Sequence, residues 1–507
     1  MSQPPIRLYI ADNYNFHRRN FDALFELTKR DKLDFHVNRK RKGWWLLHGN
    51  YAGEASRLAP HRARLDVLSA ADLLAISHNG VNVFSCARAE ILCLVLVLDS
   101  WVDRSVRGDD DRTLIEELFA ESRETLLSNM AAAMEWLDFW LAEFGSGRRY
   151  THCCVFSGSN IYSRTLLETC RRVGVRAFVM ETFFTGNHFY CEEKFGPVSN
   201  NSDLGIDNYY DAIAVPEDVQ GYARACAEAH EAIRGMRSLN VRPDSEVDPK
   251  LFGNGKPVAF IVGQVVNDFA ILQTSLKNIN GIEWVKVLID ALLENTDFNI
   301  VFKAHPWERK RVNLCRPLTF EKISTHIAAM PEDRRARVAI VENPTIASVF
   351  RIADWVFLQC SQAGIEAAET GFKPVVFGRP FYGQRGFTHD YTDLNAFLAD
   401  FRAARVNNRL TPAEYDAYQL FIVKAFVRHL LTDDEAGVDK LRRIFNSTHA
   451  VEVAAEIPAN APPPPSRRIR RRLQMAAVVA AIRANPYGFM RDRLFDLRRR
   501  ITGRFRT

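Results

Sequence analysis

Two consecutive α/β halves, each built on a doubly wound parallel sheet, are the fold that this 507-residue chain predicts. Short apolar runs alternate with helical patterns, the signature of βαβ units. A segment rich in Pro, Gly and charge, Arg242 to Pro257, divides the chain near its middle. In the second half, polar or Gly-bearing turns stand directly after apolar runs, which is how a parallel sheet presents a ligand site at its carboxyl edge.

In the first half, Arg7 to Ala11 is a strand and Phe16 to Leu27 opens a helix. Cys153 to Phe156 is a strand, Ser163 to Val173 a helix ended by Gly174, and Arg176 to Glu181 the next strand. Asp109 to Asp111 belongs to a solvated surface loop. After the divider come Val258 to Val262, a helix around Ile282 to Leu293, then Asn299 to Lys303, Val338 to Glu342, Trp355 to Leu358 and Pro374 to Phe377. Helical segments between Thr411 and Phe445 pack back onto the core. Two Rossmann-like halves facing a central cleft make a GT-B architecture. The expected units are 1–241 (acceptor side), a linker at 242–257, 258–450 (nucleotide-sugar side), a Pro-rich spacer at 458–466 and a basic amphipathic, helical tail at 467–507.

Composition narrows the setting. The nine Cys residues are an odd set without a Cys-x-x-Cys pair, which argues against a zinc or disulfide framework and for a reducing cytoplasm. No charged-then-apolar segment opens the chain, so no secretory signal is expected. The longest apolar run, Ile91 to Leu98, is far below the ~20 residues that span a bilayer. The tail from Arg467 carries 13 Arg against Asp492 and Asp496, a balance of +11, which leaves −5 of the formal +6 for the residues before it. Arginine clusters interleaved with Leu, Ile, Phe and Val suit an anionic membrane surface. No nucleic-acid-binding fold accompanies them, so membrane is the expected partner.

Several motifs carry chemistry. Ser361-Gln-Ala-Gly364 opens a helix just past an apolar strand, where free backbone N–H groups and the helix dipole bind phosphate. Asn299 to Pro306 is a strand ending in a His-Pro turn. Two such strand ends in one half suggest a nucleotide-sugar pocket.

Lys303-Ala-His305-Pro306, Ser361-Gln-Ala-Gly-Ile-Glu366-Ala and Gly371 to Gly383 resemble motifs of the capsule polysaccharide synthesis family (KpsS/KpsC-like), bacterial transferases that use CMP-activated Kdo. Gly263-Gln264-Val-Val-Asn-Asp268 is similar to that family's Gln-x-x-x-Asp segment. Phe156 to Asn160 and Met180 to Phe184 resemble its two acceptor-side segments. The resemblance runs from about Val155 to Tyr391 with the motifs in order.

The resemblance implies a glycosyltransferase of capsule or lipid-linked polysaccharide synthesis. It would move Kdo or a related sugar from a CMP-sugar to a lipid or glycan acceptor. The alternatives are a GT-B enzyme using a UDP-sugar or CDP-polyol, and a catalytically idle export or scaffold subunit. His305 is expected at the donor phosphate, or else as a strand-end cap. Glu181 is the candidate general base or nucleophile, with Thr182 where retaining relatives carry a carboxylate. Donor binding falls to Gln264, Asp268, Lys303, Pro306, Ser361, Gln362, Gly364 and Glu366.

Asp268 alternatively caps a helix, Lys303 alternatively snorkels from its strand, and Gly364 alternatively serves close packing. Arg18, Arg19, Asn160, Arg379, Tyr382 and Arg385 are expected at the acceptor or the sugar carboxylate, for which arginine forks are suited. No metal and no cofactor is expected, since the CMP-sugar is a substrate. The partners are the nucleotide-sugar donor, the lipid or glycan acceptor, other polysaccharide assembly or export proteins, and the inner membrane reached through the tail. No nucleic acid is expected. The protein is expected in the cytoplasm, peripheral to that membrane.

Overall fold

A computed structural model describes residues 5–145, 150–235, 245–273, 278–309 and 316–447. Fourteen strands are found among them: β1 (Arg7–Ile10), β2 (Asp34–Val37), β3 (Ser77–His78), β4 (Val81–Asn82), β5 (His152–Phe156), β6 (Arg176–Thr182), β7 (His188–Glu193), β8 (Val258–Val262), β9 (Asn299–Lys303), β10 (Val338–Val341), β11 (Trp355–Leu358), β12 (Val375–Val376), β13 (His389–Asp390) and β14 (Leu431–Thr432). They form two six-stranded sheets and the β3–β4 hairpin.

The second sheet has the order β10-β9-β8-β11-β12-β13 and is parallel throughout. That is the doubly wound order, with its switch point between β8 and β11, where a crevice opens at the carboxyl ends of the strands. Its strands are nearly continuous runs of Val, Ile and Phe because helices cover both faces. Helix Gly281–Asn295 starts where Asn280 Oδ1 accepts the N–H of Ile282 (3.1 Å), and a cap of this kind is worth about 1 kcal/mol.

The first sheet has the order β14-β7-β6-β5-β1-β2. Strands β2, β1, β5 and β6 are parallel, and β7 runs antiparallel to both of its neighbours. Between β2 and β5 the expected strand–helix alternation gives way to helices Ala55–Leu65, Ala70–Ala75, Val83–Val95, Asp111–Glu121 and Arg123–Phe144. The apolar run at Ile91 continues the helix from Val83, whose residues are buried nearly all round, so it shows little amphipathic period.

The chain then crosses back. Leu431 of β14 pairs with Phe189 of β7. Helix Glu435–Asn446 packs beside helix Arg18–Arg30, and Arg442 bridges to Asp31 (2.8 Å). Residues 431–446, grouped by sequence with 258–450, therefore lie on the first sheet. A two-residue strand carries no pattern that could announce this. The spacer at 458–466 and the basic tail at 467–507 lie outside the described residues.

Both flanks of the two sheets are tied together. Val102 inserts into the apolar core of the second half, and Asn280 Nδ2 donates to the carbonyls of Val102 (2.9 Å) and Arg104 (2.8 Å). On the other flank Arg385 donates to Asp207 (2.7 Å) and to the Leu204 carbonyl (2.9 Å), and Glu369 meets His230 (2.6 Å).

Candidate active site

The strand ends of the two sheets meet around Glu181. This residue is the penultimate one of β6, and part of it remains accessible. Its Oε2 accepts a hydrogen bond from Ser199 Oγ (2.9 Å). Ser199 Oγ lies 3.0 Å from Ser157 Oγ, which lies 3.2 Å from Ser159 Oγ, so a line of hydroxyls leads from the end of β5 to the carboxylate. Ser157 holds the left-handed conformation (φ +57°), strained for a residue with a side chain, just past β5. Desolvation pushes the Glu181 carboxyl from its ordinary 4.5 to about 7. The Ser199 and Ser157 hydroxyls oppose this, and the Asp268 carboxylate, from the other half, adds to it.

Asp268 follows β8. Its Oδ1 caps helix Phe269–Leu272 by accepting the Ala270 N–H (3.0 Å), while its Oδ2 accepts from Gln264 Nε2 (3.2 Å). Asp268 thus caps a helix, and its charge also acts on Glu181 of the other half. Gln264 also approaches Cys360 Sγ (3.5 Å), which joins the ends of β8 and β11 at the switch point. Gly263 stands where an added Cβ would strike the Lys303 carbonyl, so glycine permits the close approach of β8 to β9.

On the next strand end, Lys303 is buried, and its Nζ donates to the Glu342 carbonyl (2.9 Å). It does not snorkel to solvent. Burial draws its ammonium down from 10.5 to about 8, against the pull of Glu342 and Glu366. Glu366 is half-buried. Desolvation raises its carboxyl to about 7, with Lys303 pulling the other way. His305 is half-buried, and its Nδ1 accepts the Trp307 N–H (3.2 Å). In the neutral ring that bond puts the proton on Nε2. Pro306 opens the 3-10 turn Pro306–Arg309, in which Glu308 is buried. Glu308 accepts the N–H groups of Val266 (3.1 Å) and Thr319 (2.8 Å), bracing the loops after β8 and β9 against one another.

The turn after β11 differs from the expectation. The Ala363 N–H meets Ser361 Oγ (3.3 Å) and the Gly364 N–H meets the Ser361 carbonyl (3.1 Å), so two of the expected free donors are engaged within the turn. Gln362 is half-buried and sits at the N-cap of helix Ala363–Glu369 without a side-chain cap bond. A Cβ on Gly364 would strike the ring and hydroxyl of Tyr382. Tyr382 is fully buried and its hydroxyl donates to the Ser361 carbonyl (2.5 Å). Close packing therefore explains Gly364, and Tyr382 shapes the turn from beneath.

Two of the expected acceptor-side arginines are held in ion pairs. Arg18 is exposed and paired with Asp22 (2.5 Å) and Glu26 (2.8 Å) along its own helix, and Arg19 is exposed beside it. Arg385 is buried against the Tyr210 ring (4.3 Å) and engaged with Asp207. Arg379 has an exposed side chain, and its carbonyl accepts from Asn200 Nδ2 (2.7 Å). Sequence spacing cannot show that an arginine already has a structural partner.

Asn160 caps no N–H of helix Ile161–Val173; its Oδ1 is buried without a hydrogen-bond partner. The Ile161 N–H is taken by buried Glu90 (2.6 Å), so that helix end already holds a carboxylate.

Ser199, Cys360, Glu308 and Asp12 carried no motif, and Ser157 lies within the Phe156 to Asn160 segment without being singled out there. Asp12, at the end of β1, is fully buried and accepts the N–H groups of Tyr14 (2.9 Å) and Asn15 (2.7 Å) and the Tyr162 hydroxyl (3.1 Å). Its place one residue past an apolar strand was the one available signal.

Residues 209–424 match the family model described as capsule polysaccharide biosynthesis protein. No curated protein matches. Among solved structures, the chain is similar to the beta Kdo 2,4 transferase of Thermosulfurimonas dismutans KpsC, with 18% identity over 54% of this chain and 79% of that one and a TM-score of 0.37. It is also similar to the beta Kdo 2,7 transferase of the same organism's KpsC, with 16% identity over 60% and 89% and a TM-score of 0.34. The matched segment holds every donor-side residue named above and leaves out Glu181 and Asn160. The likeness to the capsule polysaccharide biosynthesis family is thus carried by residues 209–424.

Proposed function

We propose that the protein is a glycosyltransferase of GT-B type that transfers Kdo or a related sugar from a CMP-sugar to a lipid or glycan acceptor. One observation carries this reading: a carboxyl raised to about 7 stands on one sheet, against the switch-point loops of the other. A group poised near the working pH suits general acid–base catalysis. In this mechanism the deprotonated Glu181 takes the proton of the acceptor hydroxyl as that oxygen attacks the anomeric carbon. The bond from that carbon to the phosphate oxygen breaks, and CMP leaves. The Nε2–H of His305 and the charge of Lys303 stabilise the departing phosphate, as preorganised donors do in a partly desolvated site. Thr182 has no carboxylate, so Glu181 is the acid–base group on this side.

A second reading has one observation in its favour. Arg18 and Arg385 are held in ion pairs, which compete with the carboxylate that marks Kdo. A donor without that carboxylate, such as a UDP-sugar or CDP-polyol, fits this better. A thermal-shift series with CMP, UDP and CDP separates the two, because a ligand of the native state raises the melting midpoint by mass action. A shift with CMP alone upholds the first reading; a shift only with UDP or CDP favours the second. The same series with no shift for any nucleotide would leave a non-catalytic subunit.

A further inference from the structure

We infer that a divalent transition-metal ion of the zinc class binds in the helical layer of the first half, held by His61, His78 and Asp138 with Glu135 as the fourth donor. The ligands come from three separate elements: helix Ala55–Leu65, strand β3 and helix Arg123–Phe144. Donor atoms of His61, His78 and Asp138 all lie within 4.8 Å of one another. His61 Nε2 is 3.3 Å from Glu135 Oε2 and 3.4 Å from Asp138 Oδ2, and His78 Nε2 is 2.7 Å from Asp138 Oδ1. A tetrahedral ion with bonds of about 2.0–2.2 Å sets neighbouring donors about 3.3–3.6 Å apart. The two His61 separations already have that value; His78, which now meets the other Asp138 oxygen, must draw off by under an ångström, and Glu135, outside the 4.8 Å group, must turn inward.

The chemistry of the set fits the ion. Two imidazole nitrogens with carboxylate oxygens are borderline donors, suited to zinc and its neighbours rather than to magnesium or calcium. Both His side chains are about one-tenth exposed, so little backbone rearrangement is needed to present them. Around them stand Asn79, whose amide donates to Asp138 (2.8 Å), and Arg41, which pairs with Glu135 (2.6 Å) and so leaves that carboxylate the weakest ligand. Arg64 lies 3.3 Å from His78 Nδ1. It opposes the ion, because metallation through Nε2 leaves a proton on Nδ1, turned toward the guanidinium. With the ion bound, β3 and helix Ala55–Leu65 would be pinned to helix Arg123–Phe144, far along the chain from the residues of the cleft.

The test uses tag-free, full-length protein, stripped with a chelator and titrated with zinc chloride near neutral pH. One zinc per chain, a melting midpoint raised by several degrees, and loss of both in the His61→Ala/His78→Ala double variant are expected. Zinc that does not bind stoichiometrically, or that binds the double variant equally well as an adventitious ion only, overturns the site. If the double variant does not fold, Arg64→Ala decides the question. Removing the opposing cation tightens zinc by at least about threefold if the ion uses His78 Nε2; unchanged or weaker binding sinks the proposal.

Discussion

Glu181 and Asp268 belong to different sheets and are 87 positions apart, yet the charge of Asp268 helps to hold the proton of Glu181. Burial supplies the larger part of that effect, and the like charge adds to it. The electrostatics of Glu181 are therefore set by residues of both halves. A change on the Asp268 side should be legible in the titration of Glu181.

Glu181→Gln is expected to lower turnover by about a hundredfold or more while leaving nucleotide binding in place. In the native chain the rate should rise with pH through about 7 as Glu181 loses its proton. Asp268→Asn keeps a good helix cap but removes the like charge, so this limb should move to lower pH. Ser199→Ala removes a hydrogen bond that favours the carboxylate, so the limb should move to higher pH. Rate profiles of the three proteins check the opposite signs; shifts in one common direction would refute the assignment.

The same carboxyl makes a stability prediction. Its folded value of about 7 exceeds the ordinary 4.5, so between those values the folded state binds more protons than the unfolded one. Stability from this group thus falls as pH rises through that window. Glu366, also raised to about 7, acts in the same sense. Glu181→Gln should melt higher than the native protein at pH 8, and the gap should narrow toward pH 5. Melting midpoints at the two pH values measure it.

His305→Ala is expected to cost roughly a hundredfold to a thousandfold in turnover without lowering the melting midpoint by more than a few degrees. The ring is half-buried and its Nδ1 accepts the N–H of Trp307, two residues on, so the melting midpoint and the turnover are measured side by side. Near-normal turnover would remove it from the donor site.

Gly364→Ala should destabilise the protein by about 1–3 kcal/mol, because the new methyl group meets the buried ring of Tyr382. In a Tyr382→Leu background the same substitution should cost less, since the obstacle is gone. A double-mutant cycle by denaturant unfolding reads the coupling. Additive costs would return Gly364 to a ligand-facing role.

Deleting 467–507 should release the protein from anionic vesicles and lower transfer to a lipid acceptor, while activity on a short soluble acceptor persists. The tail carries +11 and the rest −5, so attraction should weaken as salt contracts the screening length to about 3 Å at 1 M. Co-sedimentation of both forms at low and high salt decides it; equal pelleting would place the membrane contact elsewhere.

The sequence by itself determined the βαβ character of both halves, the strand ends that carry the candidate site residues, and six motif segments in order. These are local properties: an apolar run of four or five residues followed by a polar turn is visible wherever it falls, as at Phe302 and Leu358. In the helix-rich insert between β2 and β5, helix Val83–Val95 escaped because it is buried nearly all round and lacks a polar face, and β14 because two residues carry no period. Only the tertiary structure decided which charges face the cleft. Glu181, Ser199, Gln264 and Asp268 converge there, whereas Arg18 and Arg385 are drawn off by Asp22, Glu26 and Asp207. The reason is physical: a side chain's role depends on which partners reach it across the fold, and a guanidinium already held by a carboxylate leaves no trace in the spacing of its own motif.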